Sequence, residues 1–203
     1  AGNVYLTGAA QLPGMATTGA YQTTIAGGDD AYVAKFSTCG AIVWATYFGG
    51  PQQEVSSALT TDAAGNIYIA ENNRVRKINT SGIISTFAGV NLPYGSAGDG
   101  GPATAAQLYY PKGIATDAAG NVYMAGQTSS PTNTNVSTVG SHQSNYGGGP
   151  NDGFLTKYSP SGVMQWGTYY GGVDGENTDK SRLAADDSGH VFVTGFTAST
   201  SGI

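Results

Sequence analysis

Apolar and polar residues alternate in short bursts along this chain, and one burst recurs four times. It reads Gly2-Asn3-Val4-Tyr5-Leu6-Thr7-Gly8, Gly65-Asn66-Ile67-Tyr68-Ile69-Ala70, Gly120-Asn121-Val122-Tyr123-Met124-Ala125-Gly126 and Gly189-His190-Val191-Phe192-Val193-Thr194-Gly195. Gly-Asn favours a tight turn, and the period-2 pattern after it is that of a half-buried strand. A spacing of roughly sixty residues signals repeated supersecondary units.

Each unit reads as four strands. In the third these are 112–117, 121–126, 153–158 and 163–170, and the first repeats the last two over 31–37 and 42–50. The middle unit, with strands over 73–79 and 83–89, is shorter. Meandering quartets of short strands with glycine turns predict an all-β propeller section. The approximate units are 1–54, 55–111, 112–180 and the start of a further one over 181–203. About three four-stranded blades plus an extra strand fall short of the four to eight that close a propeller. The expectation is therefore a section of a larger ring, or one closed by another chain.

Composition agrees with turns and strands. Gly numbers 32 and Tyr 13, while charged residues make up only 10%. A net charge of −5, with eight scattered Lys and Arg, lacks the basic footprint of a nucleic-acid binder. No apolar run approaches the length of a membrane-spanning helix, so membrane insertion is not expected. Cys39, the single cysteine, stands at a turn position shared with Ser81 and Ser161.

The outer units, with Tyr32-Val33-Ala34-Lys35-Phe36, Trp44-Ala45-Thr46-Tyr47-Phe48-Gly49-Gly50 and the Asp-Ala-Ala-Gly-Asn turn, resemble SBBP-type β-propeller repeats. The middle stretch resembles an NHL repeat. It comprises Asn73-Arg74-Val75-Arg76-Lys77-Ile78, then 98–108 and Pro111-Lys112-Gly113-Ile114-Ala115. The first resemblance implies part of a large secreted or cell-surface bacterial protein. The second implies a protein-, RNA- or ligand-binding platform, and occasionally an enzyme.

The candidate chemistry is sparse. Asp62, Asp117 and Asp186 each precede a turn glycine (Gly65, Gly120, Gly189) by three residues, with Asn66 and Asn121 following in two units. Recurrence once per unit argues for pinning the turn. Asp30 and Asp152 follow glycine runs and read as loop caps. Asp174, Glu176 and Asp179 offer oxygen ligands for Ca²⁺, but the first unit has only Glu54 in the equivalent stretch, so a solvated loop is the preferred reading. No other cofactor is expected. His142 takes the slot of Tyr21, and His190 that of a turn Asn. Neither has a metal-ligand partner at useful spacing.

Trp44, Tyr47, Trp166 and Tyr169 on the fourth strands are expected to pack blades. Tyr94, Tyr109 and Tyr110 sit in a loop where they could form a ligand surface. The loops 9–30, 89–111 and 127–151 vary most between units, which makes them the best candidates for contact. The expected function is non-catalytic: a structural or interaction module of an extracellular or cell-surface protein. Its partner would be another protein, or the remaining blades of the same parent. Two alternatives are a carbohydrate-binding propeller that uses loop aromatics to hold glycans, and an NHL-type lyase-like enzyme completed by further blades.

Overall fold

The computed structural model describes residues 2–90, 102–106, 108, 110–128 and 136–201, with backbone alone for 177–181. Thirteen strands form four antiparallel sheets among these residues. The first sheet holds β1 (Val4–Ala10), β2 (Asp30–Phe36) and β3 (Ile42–Phe48). The second holds β4 (Ser56–Thr61), β5 (Ile67–Glu71), β6 (Arg74–Ile78) and β7 (Ile84–Ala88). The third holds β8 (Gly113–Thr116), β9 (Val122–Thr128), β10 (Asp152–Tyr158) and β11 (Met164–Tyr170). The fourth holds β12 (Glu176–Ala185) and β13 (Val191–Thr197). Among the described residues, helix is confined to a 3-10 turn at Ala103–Ala105. The all-β class and the four-stranded meander are therefore as expected, and the sheets do not close into a ring.

Alternation along each strand builds the stack. On β5, Ile67 and Ile69 face the first sheet and join Ala31, Val33 and Phe48. Tyr68, pointing the other way, joins Val122, Met124 and Tyr158 of the third sheet. Period 2 thus splits one strand between two cores. Phe87 of β7 bridges the second core. Its ring meets Tyr68 edge-on at 5.0 Å and Tyr158 at 6.3 Å, contacts that add to the area each ring buries. The outer faces of the set stay open: Val4 and Leu6 on β1, and Phe192 and Phe196 on β13, are exposed.

The first strands of successive sheets lie side by side and are joined by small hydroxyls. Thr7 donates to Ser56 Oγ at 2.6 Å, Ser56 to the Gly8 carbonyl at 2.8 Å, and Ser57 to the Pro111 carbonyl at 2.7 Å. Thr116 donates to the Thr61 carbonyl at 2.9 Å. Short side chains let these strands approach, and the hydroxyls satisfy polar groups without bringing charge into the hub.

The meander sends tight turns to one end of every sheet and interstrand loops to the other. The long loops do a second job. Thr17 N donates to the Ala45 carbonyl at 3.0 Å, and Ala45 N to Thr17 Oγ1 at 3.1 Å. Thr138 and Gly167 repeat the pattern, with bonds of 3.0 and 3.3 Å. Part of each loop therefore runs along β3 or β11 and covers an edge that would otherwise invite pairing. Tyr47 and Tyr169 serve the same loops. Met15 N donates to Tyr47 Oη at 2.9 Å, and Tyr169 meets Tyr146 edge-on at 6.3 Å.

Candidate functional site

At the turn end, each Asp is spent on backbone and neighbour. Asp117 Oδ1 accepts the Asn121 amide at 2.9 Å, while Oδ2 accepts Asn121 Nδ2 at 2.8 Å and the Tyr123 hydroxyl at 2.9 Å. Lys157 Nζ lies 3.6 Å from the same oxygen. Asp62 makes the same three bonds to Asn66 and Tyr68, at 2.8, 2.7 and 3.2 Å. Asp186 accepts the amides of Ser188 and His190 and meets His190 Nδ1, each at 2.9 Å. Phe192 stands where the other units have tyrosine, so the hydroxyl bond is missing there. Gly65, Gly120 and Gly189 adopt φ between 78° and 89°, the left-handed region that glycine enters without steric cost.

The loop end carries a second repeated device. In the first sheet, Asp30 Oδ2 accepts Gln22 Nε2 at 2.5 Å and the Ala26 amide at 3.0 Å, and Gln22 Oε1 accepts the Gly49 amide at 2.9 Å. Glu54 Oε2 accepts the Gly50 amide at 3.0 Å. The third sheet repeats it. Asp152 Oδ2 accepts the Gly147 amide at 2.5 Å, Gln143 Oε1 the Gly171 amide at 3.0 Å, and Glu176 Oε2 the Gly172 amide at 3.1 Å. All four carboxylates are buried.

The first glycine of each Gly-Gly pair has no room for a side chain. A Cβ on Gly49 would lie 2.5 Å from Asp30 Cγ, and one on Gly171 would lie 2.4 Å from Glu176 Oε2 and 2.7 Å from Asp152 Cγ. Burial raises the Asp152 carboxyl above its ordinary value. The Gly147 amide opposes that shift and Glu176 adds to it. Asp30 Oδ1 and Asp152 Oδ1 are buried without a hydrogen-bond partner.

The two devices differ in what faces the glutamate. Glu176 Oε1 accepts Thr197 Oγ1 at 2.9 Å and Ser199 Oγ at 2.5 Å. Glu54 instead borders a cleft of about 240 Å³ between the first and second sheets, with Arg74 and Arg76 on the opposite wall. Arg74 Nε donates to Glu71 Oε1. Desolvation pushes the buried Glu71 carboxyl up, and Arg74 and Arg76 counter it. A larger open trough of about 630 Å³ runs between the third and fourth sheets past Phe154, Tyr170 and Phe196.

Two of the three calcium candidates are described. Glu176 is buried with both oxygens bonded to protein, Asp174 is exposed in the preceding loop, and the Asp179 side chain lies outside the described residues. Among the described residues, no three His, Cys, Asp or Glu side chains are grouped to hold a metal ion. Tyr94 and Tyr109 also lie outside the described residues. Tyr110 is half-exposed, at φ 44°, with Lys112 Nζ 5.2 Å from its ring centre. Trp44 packs against the core shared with the second sheet, and Trp166 rests 6.1 Å from the Tyr123 ring. His142 lies beside Tyr170 at 6.4 Å.

Three partners in the loop-end device, Gln22, Gln143 and Glu54, were not singled out from the sequence. Their signal was available: each Gln follows an aromatic residue in matched Gly-x-Tyr/His-Gln stretches, and each Glu stands five residues after the first glycine of its pair.

The repeat unit seen in these sheets has a counterpart among known families. Residues 100–133 match the SBBP β-propeller repeat. The match takes in β8 and β9 and begins upstream of them, in the connection that the sequence reading joined to the NHL-like unit. No match was found among curated proteins.

Proposed function

We propose that this chain is a non-catalytic interaction module of a secreted or cell-surface protein, presenting the loop end of its sheets to a protein partner. The observation that carries the reading is the contrast between the two ends. The turn end repeats one Asp-centred network three times, whereas the loop end repeats a scaffold and varies what stands on it. Identical scaffolding with changing neighbours is what a display surface needs. The SBBP-type repeat supports placement in a bacterial surface array, and the Asn73–Ile78 strand supports an NHL-like middle unit.

Photo-crosslinking side chains at the exposed loop-end positions Leu12, Gln52 and Val173 test this against the turn-end positions Thr38, Ser81 and Ser161. Installed in the intact protein on its producing cells, the loop-end set is expected to yield discrete protein adducts and the turn-end set none. Equal labelling from both ends, or no protein adduct from the loop end, would reject the proposal.

A further inference from the structure

The cleft between the first and second sheets brings two arginines, a glutamate and aromatic side chains together. Its lining includes Tyr21, Phe48, Gln52, Glu54, Arg74 and Arg76. Arg74 is already engaged by Glu71. Arg76 is not: no hydrogen bond or ion pair reaches it among the described residues, and its Nε is buried without an acceptor. A guanidinium carries five donors in a rigid fork and keeps its charge. Nε is closed to solvent, so a ligand in the cleft would meet the outer end of this fork; Glu71 acts on Arg76 electrostatically without hydrogen-bonding it.

We propose that this cleft binds a small carboxylate ligand, with Arg76 as its principal anchor. The planar fork of arginine matches two coplanar oxygens. Phe48 and Pro51 supply an apolar wall for a short carbon chain, and Tyr21 lines the same cleft. Two features limit the ligand. At about 240 Å³ the space is smaller than the roughly 300–1,000 Å³ that holds a drug-sized molecule. Glu54 on the facing wall disfavours a second negative charge, so a monoanion fits better than phosphate. Glu71 does not line the cleft, so its unpartnered Oε2 cannot serve the ligand. At the neighbouring junction Glu176 Oε1 is engaged by Thr197 and Ser199. The cleft opens at the loop end, beside the proposed protein-binding surface, and binding of a small anion there stands if that reading fails.

Ligand-observed NMR and calorimetry on the intact protein, with propionate and inorganic phosphate as probes, test it. Propionate is expected to bind, and Arg76→Met to weaken it at least about tenfold, the factor carried by one lost charge-assisted hydrogen bond. Gln52 is exposed at the rim, so variants there leave the core intact. Gln52→Glu should weaken propionate binding and Gln52→Lys strengthen it. Absence of propionate binding, as expected if water alone joins Arg76 to Glu71, would overturn the proposal. Affinity unchanged in both the Arg76 and Gln52 variants, or tighter binding of phosphate than of propionate, would also overturn it.

Discussion

Replacing Asp117 by Asn separates a scaffolding aspartate from a functional one. The variant keeps an oxygen for the Asn121 amide but turns an amide donor toward Asn121 Nδ2, the Tyr123 hydroxyl and the Lys157 ammonium. The tyrosine hydroxyl can rotate and accept; the other two donors cannot. Hydrogen bonds to a charged group are worth about 1.5–3 kcal/mol each, while the part-exposed lysine adds under about 1 kcal/mol. The expected loss is about 2–4 kcal/mol at pH 7. Burial pushes the Asp117 carboxyl up, but the bonds from Asn121, Tyr123 and Lys157 outweigh it and hold the folded value below the ordinary one. Between the two values the unfolded chain binds more protons. The stabilisation is therefore complete above about pH 3.9 and is lost as pH falls through the folded value. Urea midpoints followed by fluorescence of Trp166, which rests against Tyr123, should show a wide gap between parent and variant at pH 7 that narrows in acid. Asp186→Asn, at an exposed turn lacking the tyrosine, should lose clearly less. An Asp117→Asn protein within about 0.5 kcal/mol of the parent at pH 7, or a gap that widens on acidification, would refute the reasoning.

Two further outcomes concern the loop-end device. Gly171→Ala forces a Cβ into two pinned carboxylates and should cost about 3 kcal/mol or more by denaturation, whereas Gly28→Ala, whose Cβ would have no neighbour nearer than 3.9 Å, should change stability by less than about 0.5 kcal/mol. Asp152→Asn keeps an acceptor for the Gly147 amide and removes a buried charge, so it should stabilise the protein by about 1 kcal/mol at pH 7. Because burial raises the folded Asp152 value, the native state holds its proton longer than the unfolded chain. Parent stability therefore falls as pH rises from the ordinary carboxylate value through the folded one, and the variant should lose that slope. A destabilised Asp152→Asn protein at pH 7 would contradict this account.

What the chain discloses by itself follows the range of the interactions. Strand positions were legible because a Gly-Asn turn and period-2 alternation are local, and Ile67, Tyr68 and Ile69 face opposite cores as alternation requires. The turn position of Asp62 and Asp117 was legible for the same reason, since Asn66 and Asn121 stand four residues on, but the hydroxyls of Tyr68 and Tyr123 that join them were not anticipated. The loop-end device was not. Gln22 reaches Gly49 across 27 residues and Gln143 reaches Gly171 across 28, so Asp30 and Asp152 looked like simple caps and Glu54 like a solitary charge. Edge covering by Thr17 and Thr138 escaped notice because a hydroxyl bonded to a backbone carries no periodic signature. Tyr47 and Tyr169 were expected to pack blades, as the tryptophans were. Burial predicted their exclusion from water but not their partners, which are the long loops.

Departure from the repeat is the most direct guide to what the molecule does. The buried Asp and Glu of the loop end recur in the first and third sheets with their glycines and glutamines intact. Selection for the scaffold alone gives no reason for the surroundings of Glu54 and Glu176 to diverge. They do diverge: Thr197 and Ser199 hydroxyls engage Glu176, while Glu54 borders a cleft lined by Arg74 and Arg76. That divergence makes the Arg76 cleft the place to test for a ligand.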